Sequence, residues 1–267
     1  MTRERRVLVH ADKQTLAGAV AARFITKIVD VLDDRDHADV CLTGGSMGSA
    51  VLRAIADSPA CGTVDWSRIT FWWGDERYLP HGDPDRNDTQ SKAALLDALQ
   101  LDPAQVKSLP APGEHADIQA AADAYAAELE AAAPAGARAP RFDITFLGVG
   151  EDGHIASLFP DHEGIRDTEH VVIAETDSPK PPPERLSLTL PILNASERCW
   201  MVLAGPDKAG ALGLALAGAS MTSVPVAGVE GRRRTVFFVD SEAAAEVPKS
   251  LTSPGHFWTG DDDPDAG

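Results

Sequence analysis

Short apolar runs recur along the chain, with polar and amphipathic stretches between them. The runs are Val7 to Val9, Val40 to Leu42, Ile69 to Trp73, Phe142 to Leu147, Val171 to Ala174, Trp200 to Ala204 and Thr235 to Val239. Helical segments lie between these runs, and strands that alternate with helices form parallel sheets. The pattern therefore predicts an α/β fold: a mostly parallel, helix-covered, open sheet of Rossmann-like type in a single large domain.

The clearest helix is predicted for Lys13 to Leu32, with Asp12 as its N-cap. Apolar side chains recur there every four residues and form one stripe for burial, at Leu16, Val20, Phe24, Ile28 and Leu32. A second, alanine-rich helix is predicted from about Asp117 to Ala133. We place the domain at residues 1–259 and expect the acidic residues 260–267, which lack apolar anchors, to form a disordered tail.

Charge and composition narrow the classes of function. The 267 residues are 43% hydrophobic and carry a formal net charge of -17. This acidity argues against nucleic acid or an anionic membrane as a partner, and no apolar run approaches the roughly 20 residues that a bilayer-spanning helix needs. We expect a cytoplasmic protein whose three separated cysteines are reduced core thiols. An anionic substrate would need a local cluster of cations to overcome the overall field.

A base stands at the end of one predicted strand. The segment from Phe142 to Pro160 is an apolar strand that enters the turn Gly150-Glu-Asp-Gly-His154. In open α/β sheets the ligand crevice lies at the carboxyl ends of the strands, and histidine suits proton transfer near neutral pH. His154 is therefore the best candidate for a catalytic base.

A glycine-rich turn follows another strand, in Val40-Cys-Leu-Thr-Gly-Gly-Ser-Met-Gly-Ser49, and leads into a helix. Glycines let the backbone approach an anion closely, the helix N-terminus adds partial positive charge, and Ser46 can donate a hydrogen bond. The turn matches neither the P-loop nor the dinucleotide pattern, so an ordinary strand-to-helix turn is an equal alternative.

Charged residues follow a third strand, in Phe71-Trp-Trp-Gly-Asp-Glu-Arg77, with Asp83-Pro-Asp-Arg-Asn87 further on. For any one of Asp75, Glu76 and Arg77, an exposed charged turn is the simpler interpretation. Because three strands end in polar residues flanked by glycine, a site assembled at the carboxyl edge of the sheet becomes the better account. Two more cations could face a bound phosphate, namely Arg185 and, at a strand-to-helix junction, Lys208.

Taken in order, these segments resemble the 6-phosphogluconolactonase family over nearly the whole chain. The specific blocks run from Trp73 to Arg77, from Gly150 to Pro160, from Ser178 to Thr189 and from Gly205 to Ala209. The resemblance implies hydrolysis of 6-phosphoglucono-δ-lactone to 6-phosphogluconate, the second step of the oxidative pentose phosphate pathway, without metal or organic cofactor. It also implies a link to glucose-6-phosphate dehydrogenase through the shared metabolite.

The resemblance further implies roles for single residues. His154 would be the general base, with Arg77 and Arg185 as cations that face the substrate. Gly44, Gly45, Ser46 and Lys208 would hold phosphate or sugar oxygens, and Asp75 would bind sugar hydroxyls or orient an arginine. Asp152 would either accept a hydrogen bond from the second ring nitrogen of His154 or fix the turn; we count it and Arg77 with His154 as catalytic.

Two other functions are open. The first is that of the glucosamine-6-phosphate deaminases, which are related to the family and would use Asp75 and the Asp152-Gly-His154 turn. They resemble this chain less, because the deaminases carry a Glu at the position of Phe159 in Leu158-Phe159-Pro160. A non-catalytic sugar-phosphate sensor is the alternative outside enzymes, although the chain has no basic helix-turn-helix segment.

Two single residues complete the predictions. His162 with its acidic neighbours is better explained as an exposed loop than as a metal site. Trp73 could line the sugar pocket.

Overall fold

Seven parallel strands form the central sheet of the chain, which a computed structural model describes over residues 4–248. Across the sheet the strands are β1 (Glu4–His10), β10 (Arg234–Asp240), β9 (Arg198–Leu203), β6 (Ile144–Gly148), β2 (Ala38–Leu42), β3 (Ile69–Trp73) and β5 (Val106–Lys107). The predicted fold class is therefore confirmed: a mostly parallel sheet covered by helices in a single domain. The predicted tail at residues 260–267 lies outside the described residues.

A second sheet is small and antiparallel. It consists of β4 (Asp75–Arg77), β8 (Arg185–Leu188) and β7 (Val172–Glu175), in that order. The apolar run at Val171 to Ala174 predicted a strand but not its placement outside the main sheet. The strands β4 and β8 carry charged residues inside a buried ladder, which an apolar pattern does not detect.

Helices cover the sheet. They are α1 (Lys13–Asp34), α2 (Gly45–Ala56), α3 (Asn87–Ala94), α4 (Ile118–Ala131), α5 (Leu190–Asn194) and α6 (Ala209–Leu216). All five apolar residues of the predicted α1 stripe are buried, and the Asp12 side chain accepts a hydrogen bond from Thr15 N at 2.7 Å. Burying five such side chains contributes on the order of 10 kcal/mol, which explains why α1 is the element that the sequence predicts best. None of the helices within residues 4–248 has both the length and the apolarity to cross a membrane.

The strand interiors form the core. Trp72, Trp73 and Trp200 are all at most 2% exposed. Trp73 does not line the site, contrary to the suggestion from the sequence: its indole Nε1 donates to Ser91 Oγ at 3.2 Å inside the core. The free cysteines Cys41 and Cys199 are buried, which raises the pKa of the Cys199 thiol to about 12.

The order of the strands creates a crevice at the middle of the sheet. Following the chain from β2, the strands β3 and β5 extend the sheet towards one edge, whereas β6, β9 and β10 extend it towards the other. The strands β2 and β6 are therefore neighbours at the point where the direction reverses, and they pair at only two positions, Val40 with Ile144 and Cys41 with Thr145. In such sheets the ligand crevice lies at this point, beyond the carboxyl ends of the strands.

Candidate active site

A cavity of about 350 Å³ is lined by residues that follow β2, β3, β6 and β9, four consecutive strands of the main sheet. This volume suits a small ligand. Its polar lining comes from Thr43, Gly44, Gly45, Ser46, Asp75, Arg77, Asn87, His154, Lys180, Arg185 and Lys208. Four of these side chains are cations and one is a carboxylate, so the cavity has the opposite charge to the chain as a whole.

The turn after β2 presents the amino end of α2 to the cavity. Gly45 has a φ of 81°, a left-handed conformation that favours glycine. Gly44, the N-cap of α2, has no side chain with which to cap the helix, and residues 43–48 line the cavity. Backbone N–H groups at a helix start are donors without intrahelical partners. Free N–H groups in such a turn can bind an anion, although the Gly45 N–H here donates to Gln90 Oε1 at 3.2 Å.

His154 and Asp152 form a hydrogen-bonded pair after β6. The imidazole Nδ1 lies 2.6 Å from Asp152 Oδ1, which also accepts from the backbone N of His154 at 3.1 Å. Both alternatives left open by the sequence are therefore realised, because the carboxylate orients the ring and fixes the turn. Burial raises the pKa of Asp152, but the hydrogen bond and charge of His154, together with the charge of Lys180, outweigh burial and hold this pKa below its ordinary value.

The ionised state of Asp152 assigns the tautomer of His154. A carboxylate is an acceptor only, so the shared proton is carried by Nδ1 of the imidazole. In the neutral imidazole the Nε2 nitrogen is then left with its lone pair. A ring in this state can accept a proton, as a general base must.

Gly150 makes room for this pair. A Cβ atom at Gly150 would overlap Nδ1 and Cε1 of His154 and Oδ1 of Asp152. The turn is closed by two backbone hydrogen bonds, from Gly150 N to the His154 carbonyl at 2.9 Å and from Gly153 N to the Gly150 carbonyl at 3.0 Å. The absence of a side chain at position 150 therefore lets the imidazole lie directly against the backbone.

An apolar ring supports His154 from the other side. Phe159 is fully buried, and its ring centroid lies 4.7 Å from that of His154. The guanidinium carbon of Arg185 lies 5.6 Å from the same Phe159 ring. Asp152 is the carboxylate that contacts the His154 imidazole, and a phenyl ring stands at the position where the resemblance to the deaminases implied a Glu.

The charged segment after β3 is buried, contrary to the exposed turn that was the simpler prediction. Glu76 is 0% and Asp75 is 6% exposed, while Arg77 is half-buried. Strand β4 pairs with β8 and so removes the segment from water, placing Arg77 directly opposite Arg185. The alternating direction of side chains along a strand turns Glu76 away from its two neighbours.

Glu76 joins this strand to α3. Its carboxylate accepts from the backbone N of Asn87 at 2.7 Å and of Asp88 at 2.9 Å, at the start of the helix, and from Arg77 N at 2.8 Å. Burial raises the pKa of Glu76 to about 7, although Arg86 and the two helix N–H groups favour the charged form. On the cavity side, Asp75 accepts from Ser157 Oγ at 2.8 Å and from Asn87 Nδ2 at 3.2 Å.

Arg185 organises the loop before β8. It is 5% exposed and donates from Nε to the Pro182 carbonyl at 3.1 Å and from Nη2 to the carbonyls of Lys180 and Pro181 at 3.0 and 3.1 Å. Its fork therefore holds the loop that carries Lys180. The ammonium of Lys180 lies 3.4 Å from Glu151 and 4.0 Å from Asp152, beside the turn that carries His154.

Lys208 lies where β9 leads into α6, as the sequence predicts. It is the N-cap of α6, and its ammonium lies 2.9 Å from the carboxylate of Asp207. The preceding Gly205 has a φ of 102°, and its N–H donates to both carboxylate oxygens of Asp240 at the end of β10. This buried carboxylate fixes the turn that presents Lys208 to the cavity.

Comparisons with known proteins agree with this geometry. The family described as glucosamine-6-phosphate isomerases/6-phosphogluconolactonase matches residues 11–238. The chain belongs to this family. A 6-phosphogluconolactonase of Streptomyces coelicolor is 52% identical over 252 residues, covering 93% of this chain and 97% of that protein.

More distant members of the 6-phosphogluconolactonase family give the same result. The 6-phosphogluconolactonase of Mycobacterium leprae is 41% identical over 91% of this chain and 98% of that protein. The crystal structure of the Thermotoga maritima 6-phosphogluconolactonase superposes with a TM-score of 0.77 at 26% identity, covering 89% of this chain and all of that one. The family, the fold and the enzyme class expected from the sequence are confirmed.

Eight of the nine site residues predicted for this family member line the cavity, and the ninth, Asp152, bonds to His154. Their individual roles stay predictions. Among the lining residues with a charged or amide side chain, two were missed, Asn87 and Lys180. Asn87 ends the segment from Asp83 to Asn87, and Lys180 lies in the block from Ser178 to Thr189, both of which were noted in the sequence. Within those segments, neither an amide in a turn nor a lysine among prolines indicates a ligand contact by itself.

A second group of histidines and acids lies outside this cavity. His162 Nδ1 lies 3.1 Å from Glu175 and His170 Nδ1 lies 2.7 Å from Asp167, in a cleft bordered by β7. Within residues 4–248, no set of three or more His, Cys, Asp or Glu side chains is placed to hold a metal ion. Each of these two histidines has one carboxylate partner, of which Glu175 is buried.

Proposed function

We propose that the chain hydrolyses 6-phosphoglucono-δ-lactone to 6-phosphogluconate. One observation carries the proposal: a histidine held by an ionised carboxylate, His154 with Asp152, lines a cavity with four cations in an otherwise acidic chain. Relatives that match over nearly their whole length are named 6-phosphogluconolactonase. A phosphorylated lactone is an anion that contains an ester, so it needs both a cationic cavity and a base.

In the proposed reaction His154 acts as the general base. Its Nε2 takes a proton from a water molecule while the water oxygen attacks the lactone carbonyl carbon. The imidazolium that forms is stabilised by the Asp152 carboxylate at Nδ1. The tetrahedral intermediate then collapses with cleavage of the ring C–O bond, and the imidazolium returns the proton to the leaving alkoxide.

Cations stabilise the charge that develops on the carbonyl oxygen. Arg77 is proposed for this role, since it lines the same cavity as His154 and its guanidinium is held in place by acceptors. Arg185 is proposed to contribute positive charge to substrate binding and to hold the loop that carries Lys180. Asp75 is proposed to bind hydroxyl groups of the sugar.

The phosphate is assigned to the start of α2. The backbone N–H groups of Gly44 and Ser46 and the ammonium of Lys208 are proposed to bind the phosphate. The Gly45 N–H donates to Gln90 Oε1 at 3.2 Å in the free protein and would exchange that partner for the phosphate. In the free protein Asp207 neutralises Lys208 at 2.9 Å. A phosphate dianion would compete with this exposed carboxylate for the ammonium.

The test compares wild type with His154→Ala on lactone generated in situ, following the product acid against its spontaneous formation. We expect wild type to accelerate hydrolysis, and the variant to lose about 10²- to 10⁴-fold in kcat while still binding 6-phosphogluconate. Background rates for folded wild type would overturn the proposal.

Two further measurements separate the alternatives. Ammonia release from glucosamine 6-phosphate faster than lactone opening would establish the deaminase. Stabilisation by 6-phosphogluconate in thermal unfolding, with no turnover, would establish the sensor. A cytoplasmic location and the link to glucose-6-phosphate dehydrogenase stay predictions.

A further inference from the structure

We infer that Asn87 is a positioning residue for lactone hydrolysis, acting through Arg77, an inference that rests on the proposed function. Its side-chain amide joins two parts of the site that come from different strands. These are Asp75 and Arg77, both on β4, and the glycine-rich turn after β2.

Each atom of the Asn87 amide is used. The Nδ2 nitrogen donates to the backbone carbonyl of Asp75 at 2.8 Å and to Asp75 Oδ1 at 3.2 Å. The Oδ1 oxygen accepts a hydrogen bond from Arg77 Nη1, which also donates to the Asp85 carbonyl at 3.1 Å. The same oxygen lies so close to Gly44 that a Cβ atom there would overlap it. Asn87 is 2% exposed, so none of these partners is readily replaced by bulk water.

The side chain does not serve its own helix. Asn87 is the first residue of α3, where polar side chains often cap the exposed N–H groups. Here those groups donate to the carboxylate of Glu76 instead. The amide of Asn87 therefore faces β4 and Gly44, and its hydrogen bonds go to Asp75 and Arg77 instead of to the N–H groups of α3.

The residue type matches this task. An aspartate at position 87 would place a second carboxylate against Asp75 and would lose the donor that Nδ2 supplies. A glutamine would need space for one more methylene group, which the contact with Gly44 does not leave. Asparagine supplies both a donor towards Asp75 and an acceptor for Arg77 within the available length.

Loss of this amide releases the guanidinium of Arg77 without removing its charge. We expect Asn87→Ala to lower kcat about 10- to 100-fold, because a misplaced cation stabilises the developing oxyanion poorly. The KM for the lactone should change less, since the phosphate ligands proposed at α2 and Lys208 are retained.

A double-mutant cycle on kcat tests the inference, using Asn87→Ala, Arg77→Ala and the double variant. If Asn87 acts through Arg77, the Asn87 substitution lowers kcat less than about threefold in the Arg77→Ala background. If the two losses multiply, Asn87 acts independently of Arg77 and the inference is wrong. Failure of the wild type to open the lactone would instead refute the proposed function.

Ser196→Ala is the matched control for stability. Ser196 is also fully buried, and its hydroxyl bonds to Thr145 Oγ1 and the Leu193 carbonyl at the amino end of β9, away from the cavity. It should lower the thermal unfolding midpoint with wild-type kcat. If Asn87→Ala does not fold, Asn87→Ser replaces it in the same cycle, with the same two outcomes. A wild-type kcat in the folded Asn87 variant would also overturn the inference.

Discussion

Replacement of Asp152 by asparagine tests how the carboxylate supports His154. The substitution keeps the size of the side chain and removes its charge. Two outcomes are chemically possible. Either the amide oxygen replaces Oδ1 and still accepts from Nδ1, or the amide turns over and donates to Nδ1, which would move the ring proton to Nε2 and destroy the base.

The geometry decides between them. Asp152 Oδ1 also accepts from the His154 backbone N at 3.1 Å and lies 4.0 Å from the Lys180 ammonium. An NH₂ group in that position would face one donor and one cation, whereas an oxygen would satisfy both. The oxygen therefore stays in place and the tautomer is retained.

In Asp152→Asn the hydrogen bond from His154 Nδ1 is then retained, but its acceptor is no longer charged. A hydrogen bond to a charged partner contributes about 1 to 2 kcal/mol more than a neutral one, which corresponds to a loss of about 5- to 30-fold in kcat. Asp152→Ala removes both acceptor functions and should approach the loss in His154→Ala, about 10²-fold or more.

The assay is single-turnover and steady-state lactone hydrolysis, corrected for the spontaneous reaction, with all variants checked for folding. In the His154→Ala background, Asp152→Asn should have little further effect on kcat, because the carboxylate acts through the imidazole. Wild-type kcat in Asp152→Asn, or a loss as large as that in His154→Ala, would refute this account of the pair.

Three further predictions concern other parts of the site. Gly150→Ala should lower kcat at least about tenfold, since the new methyl group displaces the His154 ring. The control Gly62→Ala should keep its kcat, because a Cβ atom at Gly62 meets nothing within 4 Å. Equal kcat values for the two variants would contradict the packing argument. Lys208→Ala should raise KM for the phosphorylated lactone but not for unphosphorylated gluconolactone, and a loss of kcat on both substrates would assign Lys208 to the carbonyl instead. Burial raises the pKa of the Glu76 carboxyl to about 7, so the folded chain binds a proton at this carboxyl more tightly than the unfolded chain does. The stability that proton binding contributes is present below about pH 4.5 and is lost as the pH rises through about 7. Relative to Glu76→Gln, the free energy of unfolding in urea should fall by on the order of 3 kcal/mol between these limits, and parallel pH curves would be inconsistent with a buried titrating carboxyl.

The elements that the sequence predicts well are those whose burial follows a simple period. The stripe of α1 and the apolar run of β3 indicated both type and position, and Ile69–Trp73 is placed as expected. Strand β8 reads Arg185-Leu-Ser-Leu188 and is buried throughout. Arg185 donates to carbonyls only three to five residues earlier, whereas Ser187 Oγ accepts from Ser157 N at 3.2 Å, 30 residues away. A pattern of apolar positions shows neither kind of partner.

The residues of the site also fall into those that a sequence pattern predicts and those that it does not. Groups adjacent to a strand end, such as His154, Asp75 and Lys208, could be inferred because a parallel sheet brings strand ends together. Asn87 could not, since its place depends on Glu76, which binds the start of α3 and draws the helix over Gly44. The burial of Glu76 was unexpected because an isolated buried carboxylate is costly. Three backbone N–H groups and the nearby Arg86 lower that cost.

The charge of the chain and the charge of its cavity operate at different distances. At physiological ionic strength exposed charges more than about 8 Å apart are largely screened from one another. The formal charge of -17 is the net of 41 acidic and 24 basic residues distributed along the sequence. A ligand inside the cavity is instead within reach of Arg77, Lys180, Arg185 and Lys208, of which Arg185 is 5% exposed and so is poorly screened. The local field therefore dominates for a bound anion, so the acidity of the chain is compatible with the proposed binding of a phosphorylated substrate.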